Sequence, residues 1–181
     1  MIDMSHEDFA IVLDFLPYGY PLEGRRMPLA QAIGVKGLTL LQLVPRRGET
    51  FEAGEKVYIG DGKRDKVQYI LGRCPREKLT ESAKAQLGDF VEKAVLEDEE
   101  RFVKFFNKAQ AINTRLHQFE LLPGLGKKHT KMILEAREEK DFESFEDIRN
   151  RVANMPAPEK VVSKRIMEEL MEIQRHNLFV I

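Results

Sequence analysis

At 181 residues, with 43% hydrophobic and 33% charged content, the chain has the composition of a folded globular protein of one or two domains. A formal charge of −1 excludes a histone-like polycation, so any nucleic-acid surface has to be a local patch with salt-sensitive affinity. Cys74 is the single cysteine, which excludes an internal disulfide and suits a reducing compartment.

The opening stretch, Met1-Ile2-Asp3-Met4-Ser5-His6-Glu7-Asp8, has neither the positive region nor the apolar core of a signal peptide. No apolar run approaches the ~20 residues of a membrane helix, so a cytoplasmic protein without a membrane partner is expected. Phe9 to Leu16 reads as a strand, closed by the turn-rich Pro17-Tyr18-Gly19-Tyr20-Pro21. Leu29 to Gly34 and Leu38 to Val44 are further apolar runs, the second ended by Pro45. Lys56 to Gly60 and Val67 to Gly72 flank Asp61-Gly62-Lys63-Arg64-Asp65-Lys66, a pattern that predicts a β-hairpin with a charged tip. About five strands in some seventy residues predict a small closed or partly closed barrel of OB type, and an SH3-like barrel matches the same strand count.

After Pro75 the apolar period becomes helical. Thr80 can cap a segment in which Ala83, Leu87, Phe90, Val91, Ala94 and Val95 share a face. The acidic run Glu97-Asp98-Glu99-Glu100 reads as a solvated helix end. Phe102, Phe105, Phe106, Ala109, Ile112, Leu116 and Phe119 then predict a long buried helix with a break near Asn113, and their spacing fits core packing rather than an aromatic binding stripe. The expected fold is therefore α+β: an OB-like β-barrel domain over 1–75 and an all-α domain over 76–181.

The most informative segment is Leu122-Pro123-Gly124-Leu125-Gly126-Lys127-Lys128-His129. Pro123 stops an apolar run, two glycines permit a tight turn with close backbone approach, and a helix begins in lysines. Free N–H groups and the positive end of a helix dipole then point outward beside cations, an arrangement suited to a nucleic-acid phosphate. Leu125 should point inward, and Lys127, Lys128 and Lys131 outward. The segment from about Asn113 to Lys140 resembles the helix-hairpin-helix motif of DNA- and RNA-binding proteins, whose turn reads Pro-Gly-apolar-Gly followed by Lys or Arg.

A second copy of that motif is expected over about 144–174. Ser144 with Asp147 has a capping-box pattern, and Met155-Pro156-Ala157-Pro158-Glu159-Lys160 stands where the glycine turn stood one unit earlier. It has lost both glycines, and Glu159 would repel a phosphate, so it reads as structural. On the barrel half, cations gather at turns: Arg25-Arg26, Arg46-Arg47, Lys63-Arg64 with Lys66, and Arg73. Tyr18, Tyr20, Tyr58 and Tyr69 lie among them as base-stacking candidates for a single strand. The nucleic-acid-binding set is thus Gly124, Gly126, Lys127, Lys128 and Lys131 on the hairpin, with Arg46, Arg47, Lys63 and Arg64 on the barrel.

Across nearly its whole length, from Tyr18-Gly19-Tyr20 through the Asp61-Gly62 turn to the glycine hairpin, the chain resembles an archaeal family of unknown function. Its members are described as candidate RNA-binding proteins with an OB-like first domain and a helix-hairpin-helix second domain. The resemblance implies nucleic-acid binding and supplies no substrate. No catalytic constellation is visible. His6, His117, His129 and His176 are scattered, no zinc spacing or Asp-x-Asp cluster occurs, and Cys74 reads as an inert thiol, so no metal and no cofactor are expected. The readings are a binder of nucleic-acid backbone, RNA ahead of DNA and largely independent of sequence; a protein-docking module of a ribosome-associated or repair assembly; and, last, a nuclease-type enzyme. The apolar end, Leu178-Phe179-Val180-Ile181, should fold back onto the body or meet a partner.

Overall fold

The computed structural model describes residues 7–24 and 26–181; Met1 to His6, and Arg25 among the candidate cations, lie outside the described residues. Five strands form one antiparallel sheet: β1 (Phe9–Leu16), β2 (Leu29–Gly34), β3 (Leu40–Pro45), β4 (Lys56–Tyr58) and β5 (Val67–Arg73), in the order β4-β1-β2-β3-β5. The sheet curls into a half-barrel. Its core is formed by Ala10, Val12, Ala30, Ala32, Leu41, Leu43, Phe51, Val57, Ile59 and Val67. Alanines on β1 and β2 face leucines on β3, and this mixture of small and large residues lets a small sheet bend around its own side chains.

The expected hairpin between β4 and β5 does not form. β4 pairs with β1 and β5 with β3, so the two strands occupy opposite edges. Val57 and Val67 both reach the core, but from different partners, and residues 59–66 carry the chain across rather than around a tight turn. That crossing is held locally: Gly62 N donates to Tyr58 Oη (3.0 Å), and Arg64 Nε donates to the Gly60 carbonyl (2.8 Å).

Both β2 and β3 are buried along their whole length. Gln31 and Gln42 are paired across them and point away from Ala30, Ala32, Leu41 and Leu43. Buried amides need partners, and these have them. Gln31 Nε2 donates to the Lys78 carbonyl (2.7 Å), Thr80 N donates to Gln31 Oε1 (3.1 Å), and Tyr20 Oη donates to Gln42 Oε1 (2.8 Å). Thr80 Oγ1 donates to Asp14 Oδ2 (2.6 Å) and accepts from Ala83 N (3.0 Å), capping α1 (Glu81–Glu97) as its sequence predicts.

The chain forms two compact units, Met1–Phe90 with Glu169–Ile181, and Val91–Glu168. The division falls inside α1, and Thr80 ties the start of that helix to β1 and β2. The last residues also return to the first unit. Ile181 N donates to the Gly37 carbonyl (3.0 Å), and Thr39 Oγ1 donates to the Ile181 carbonyl (3.0 Å). Glu169 accepts from the amides of Leu178, Phe179 and Val180 at 2.9–3.0 Å.

The second unit contains α2 (Glu99–Lys108), α3 (Lys127–Glu139), α4 (Phe145–Arg151) and most of α5 (Pro158–Met171). The long helix expected through Phe119 stops at Lys108 instead. Ala109 turns to extended backbone, and Asn113 Oδ1 accepts from Arg115 N (2.8 Å), a side-chain turn that competes with helix. The apolar spacing still serves the core, because Phe119 stacks on Phe106 (5.7 Å) and meets Phe105 edge-on (5.8 Å). Ahead of the glycine turn there is consequently only a 3-10 turn, Gln118–Leu121, not a full helix.

Two side chains at helix ends hold this unit together. Glu99, in the acidic run, accepts from Phe145 N (2.7 Å) at the start of α4, beside the Ser144 cap, whose Oγ accepts from Asp147 N (2.9 Å). Arg151 donates to the carbonyls of Ala136 (2.6 Å), Lys140 (2.7 Å) and Asp141 (3.3 Å) at the end of α3, and to Asp147 Oδ2 (3.1 Å).

Candidate nucleic-acid interface

The glycine turn is held from below by apolar anchors. Leu122 and Leu125 are buried, while Gly124 and Gly126 are exposed. Leu125 N donates to the Leu122 carbonyl (3.2 Å), closing the turn, and Gly124 has φ +83, a conformation that favours glycine. A Cβ on Gly126 would meet nothing within 4 Å, and one on Gly124 would meet only Pro156 Cγ at 3.9 Å. The corner is open to a ligand.

Two kinds of donor collect there. The amides of Gly124 and Gly126 have no intramolecular acceptor among the described residues. The first-turn amides of α3 are also left without carbonyl partners, as at any helix start. Gly126 caps α3 through its carbonyl, which accepts from Thr130 N (3.0 Å) and Thr130 Oγ1 (2.9 Å).

The three lysines are all exposed but not equally free. Lys127 donates to the Arg115 carbonyl (2.9 Å) and pairs with Glu120 Oε1 (3.1 Å). Lys131 lies 4.0 Å from Glu135. Lys128 has no acidic partner among the described residues, so it carries the unbalanced charge.

Glu120 was not a candidate residue, yet it shapes the site. Its other oxygen accepts from His117 N (2.8 Å), while His117 Nδ1 accepts from Phe119 N (3.1 Å), a reciprocal cap of the 3-10 turn. The spacing His117-x-x-Glu120 is the signal that could have found it. The His117 N–H and the Lys127 ammonium hold the Glu120 carboxyl below its usual range. Lys127 is thus a bridge between turn and body as much as a contact for a ligand.

His117 gives the turn a pH dependence. Burial, with Arg137 adding to it and Glu120 opposing, holds the imidazole below its ordinary value, and the ring stacks on Phe119 (4.8 Å). The unfolded chain therefore binds the proton more readily than the folded one. His117's contribution to stability is complete above about pH 6.5, the unfolded value, and declines as pH falls through it toward the folded value. Thermal melts between about pH 7.5 and 5.5 should show this loss, and His117→Asn, which keeps a capping oxygen, should flatten it.

The turn between α4 and α5 approaches the start of α3. His129 Nε2 lies 3.2 Å from the Asn154 carbonyl. Pro158 opens α5, and Glu159 is bound by Arg149 (2.5 Å) rather than facing outward alone.

On the first unit the crossing segment 59–66 brings the barrel cations together. Arg46 Nε donates to the Arg64 carbonyl (2.8 Å), and Arg46 N donates to the Lys66 carbonyl (2.8 Å). Arg46 and Arg64 are therefore partly structural. Arg47 and Lys63 are exposed at the same place and have no ion pair among the described residues. Of the tyrosines, Tyr18 (77% exposed) and Tyr69 (40%) present ring surface. Tyr20 belongs to the glutamine network, its hydroxyl pushed up to about 12 mainly by burial, and Tyr58 Oη is taken by Gly62 N.

Cys74 is buried, and burial pushes its thiol up. Among the described residues no three His, Cys, Asp or Glu side chains are grouped to hold a metal ion, and no helix is long and apolar enough to cross a membrane.

A curled antiparallel half-barrel and a helical unit with an open glycine turn define an α+β protein with two candidate anion surfaces. The chain belongs to the DUF655 family, described as proteins of unknown function, whose model matches residues 6–181. It is 41% identical over 174 residues to the uncharacterized protein MJ0038 of Methanocaldococcus jannaschii, covering 96% of this chain and 79% of that one. It is also similar to the crystal structure of Af1531 from Archaeoglobus fulgidus, with 44% identity and a TM-score of 0.83, covering 97% of this chain and 100% of the other. Membership of an archaeal family of unknown function, expected from the sequence, is thereby shown.

Proposed function

We propose that this protein binds nucleic acid, RNA ahead of DNA, by gripping backbone phosphates at the glycine turn, with the half-barrel as a second surface for a single strand. In this reading the half-barrel is an OB-like domain, residues 113–140 and 144–174 are a tandem helix-hairpin-helix pair with only the first copy active, and the protein acts in the cytoplasm as a binder, not an enzyme. The observation that carries it is the open corner at Gly124 and Gly126, where unpaired amides, the start of α3 and the unbalanced Lys128 converge. Contacts of this kind read phosphate and not base, so binding should be largely independent of sequence. The preference for RNA rests on the family resemblance.

Fluorescence anisotropy with labelled single-stranded RNA, single-stranded DNA and duplex DNA, at low and raised salt, tests the reading. Lys127→Glu with Lys128→Glu should weaken binding at least about tenfold and flatten the salt slope by about one to two. Lys128→Glu alone should account for more of this than Lys127→Glu alone, because Lys127 is already paired with Glu120. Arg47→Glu with Lys63→Glu tests the half-barrel without touching the Arg46–Arg64 contact. Wild-type affinity in the double lysine variant would remove the turn as the contact and favour a protein-docking role for it.

A further inference from the structure

Within the first unit, a cleft of ≈ 380 Å³ lies between the end of β5 and the returning residues 169–181. Arg73, Cys74, Pro75 and Arg76 form one side, and Leu170, Ile173, Val180 and Ile181 the other. Nη1 of Arg76 is shielded from solvent and has no hydrogen-bond partner. A shielded guanidinium N–H without an acceptor is costly, and proteins tolerate few of them. Arg73 is exposed beside it, and among the described residues neither arginine has a carboxylate partner.

The two acids lining the cleft do not supply the missing acceptor. Glu169 accepts from the amides of Leu178, Phe179 and Val180, and Glu77 is exposed. Apart from Glu169 the opposite side is apolar, and Ile173 stands 90% exposed. A guanidinium with an unpartnered N–H facing an aliphatic wall that ends in the exposed Ile173 is complementary to a molecule with an oxyanion at one end and an apolar body.

We infer that this cleft binds a small organic anion, its carboxylate or phosphate taken by Arg76 with Arg73 and its apolar body lying on Leu170, Ile173 and Val180. The inference is independent of nucleic-acid binding at the glycine turn. It is tested on the full chain, ¹⁵N-labelled, by NMR titration with hexanoate, hexyl phosphate and inorganic phosphate.

At least one hexyl ligand should give saturable shifts confined to residues 73–77, 169–173 and 178–181. Which of the two binds identifies the headgroup as carboxylate or phosphate. Inorganic phosphate should bind at least about tenfold more weakly, since it leaves the apolar wall wet. Arg76→Gln should weaken the hexyl ligand about ten- to a hundredfold while leaving the spectrum elsewhere unchanged. Ile173→Asn, at a position too exposed to matter for folding, should weaken the hexyl ligand but not inorganic phosphate. Absence of saturable shifts with both hexyl ligands overturns the site, as does wild-type affinity in Arg76→Gln. Equal affinity for inorganic and hexyl phosphate would overturn the apolar half of the assignment.

Discussion

Phe119→Ala should destabilise the protein by about 3–5 kcal/mol, the range for emptying a buried aromatic site. Phe119 is 0% exposed and is surrounded by rings: Phe106 stacked at 5.7 Å, Phe105 edge-on at 5.8 Å and His117 stacked at 4.8 Å. The Arg137 guanidinium lies 5.7 Å from its centroid. These partners come from three stretches of chain, so collapse around the missing ring would have to move several elements at once. Phe119 also accepts at its carbonyl from Leu122 N (3.1 Å), one residue before the turn begins. Loss of the ring should therefore loosen the glycine turn before it unfolds the rest. Urea unfolding gives the stability change, and hydrogen exchange at Leu122 and Leu125 gives the local one. A cost below about 1 kcal/mol would show that the ring cluster is not the support of the turn.

Arg151→Met should cost about 2–4 kcal/mol, because it leaves partly shielded carbonyls and a carboxylate without their donor. The guanidinium meets Ala136, Lys140 and Asp141 where α3 ends and its carbonyls have no helical partners. Methionine keeps an apolar stem over the Phe142 ring, above which the guanidinium carbon sits at 4.7 Å, so the loss reports on the polar contacts. Asp147 supplies a second readout. The Glu143 amide and Arg151 hold its carboxyl below the usual range. A folded-state value below the unfolded one gives stability present above the unfolded value of about 3.9 and lost as pH falls through the folded value. Removing Arg151 should raise the Asp147 value and shrink that acid-sensitive share, measurable by NMR titration of the carboxylate.

Local signals were the legible ones. β1 spans Phe9–Leu16 and β2 spans Leu29–Gly34, the same limits that apolar runs and flanking turn residues mark in the sequence. Strand pairing was not legible. Asp61-Gly62 is a local hairpin signal, but pairing depends on which edge of the sheet is vacant, and Val57 and Val67 can enter one core from either arrangement. The long helix failed for a similar reason. Phe102, Phe106 and Phe119 keep a helical spacing, yet Phe119 reaches the others by a fold-back stabilised by Asn113.

At the candidate site, Gly124 was readable because its backbone demands glycine, and the outward lysines because they open a helix. The partial neutralisation of Lys127 was not, since Glu120 reaches it only through the three-dimensional turn. Glu169 was hidden differently. It sits among Ile166 and Leu170 on a buried helix face, where its role as acceptor for three later amides has no sequence signature.

The return of residues 169–181 to the first unit has a consequence for how the protein is made. Thr39 and Ile181 are joined across 142 positions, and the whole of the second unit intervenes. Residues 91–168 are therefore all joined to the chain before the sheet gains its last segment. Pairing over such a sequence separation belongs to the slow class of folding steps. Purified chains truncated before Glu169 should show a protease-resistant helical unit beside a sheet that is still cleavable, with the sheet protected only when residues 169–181 are present.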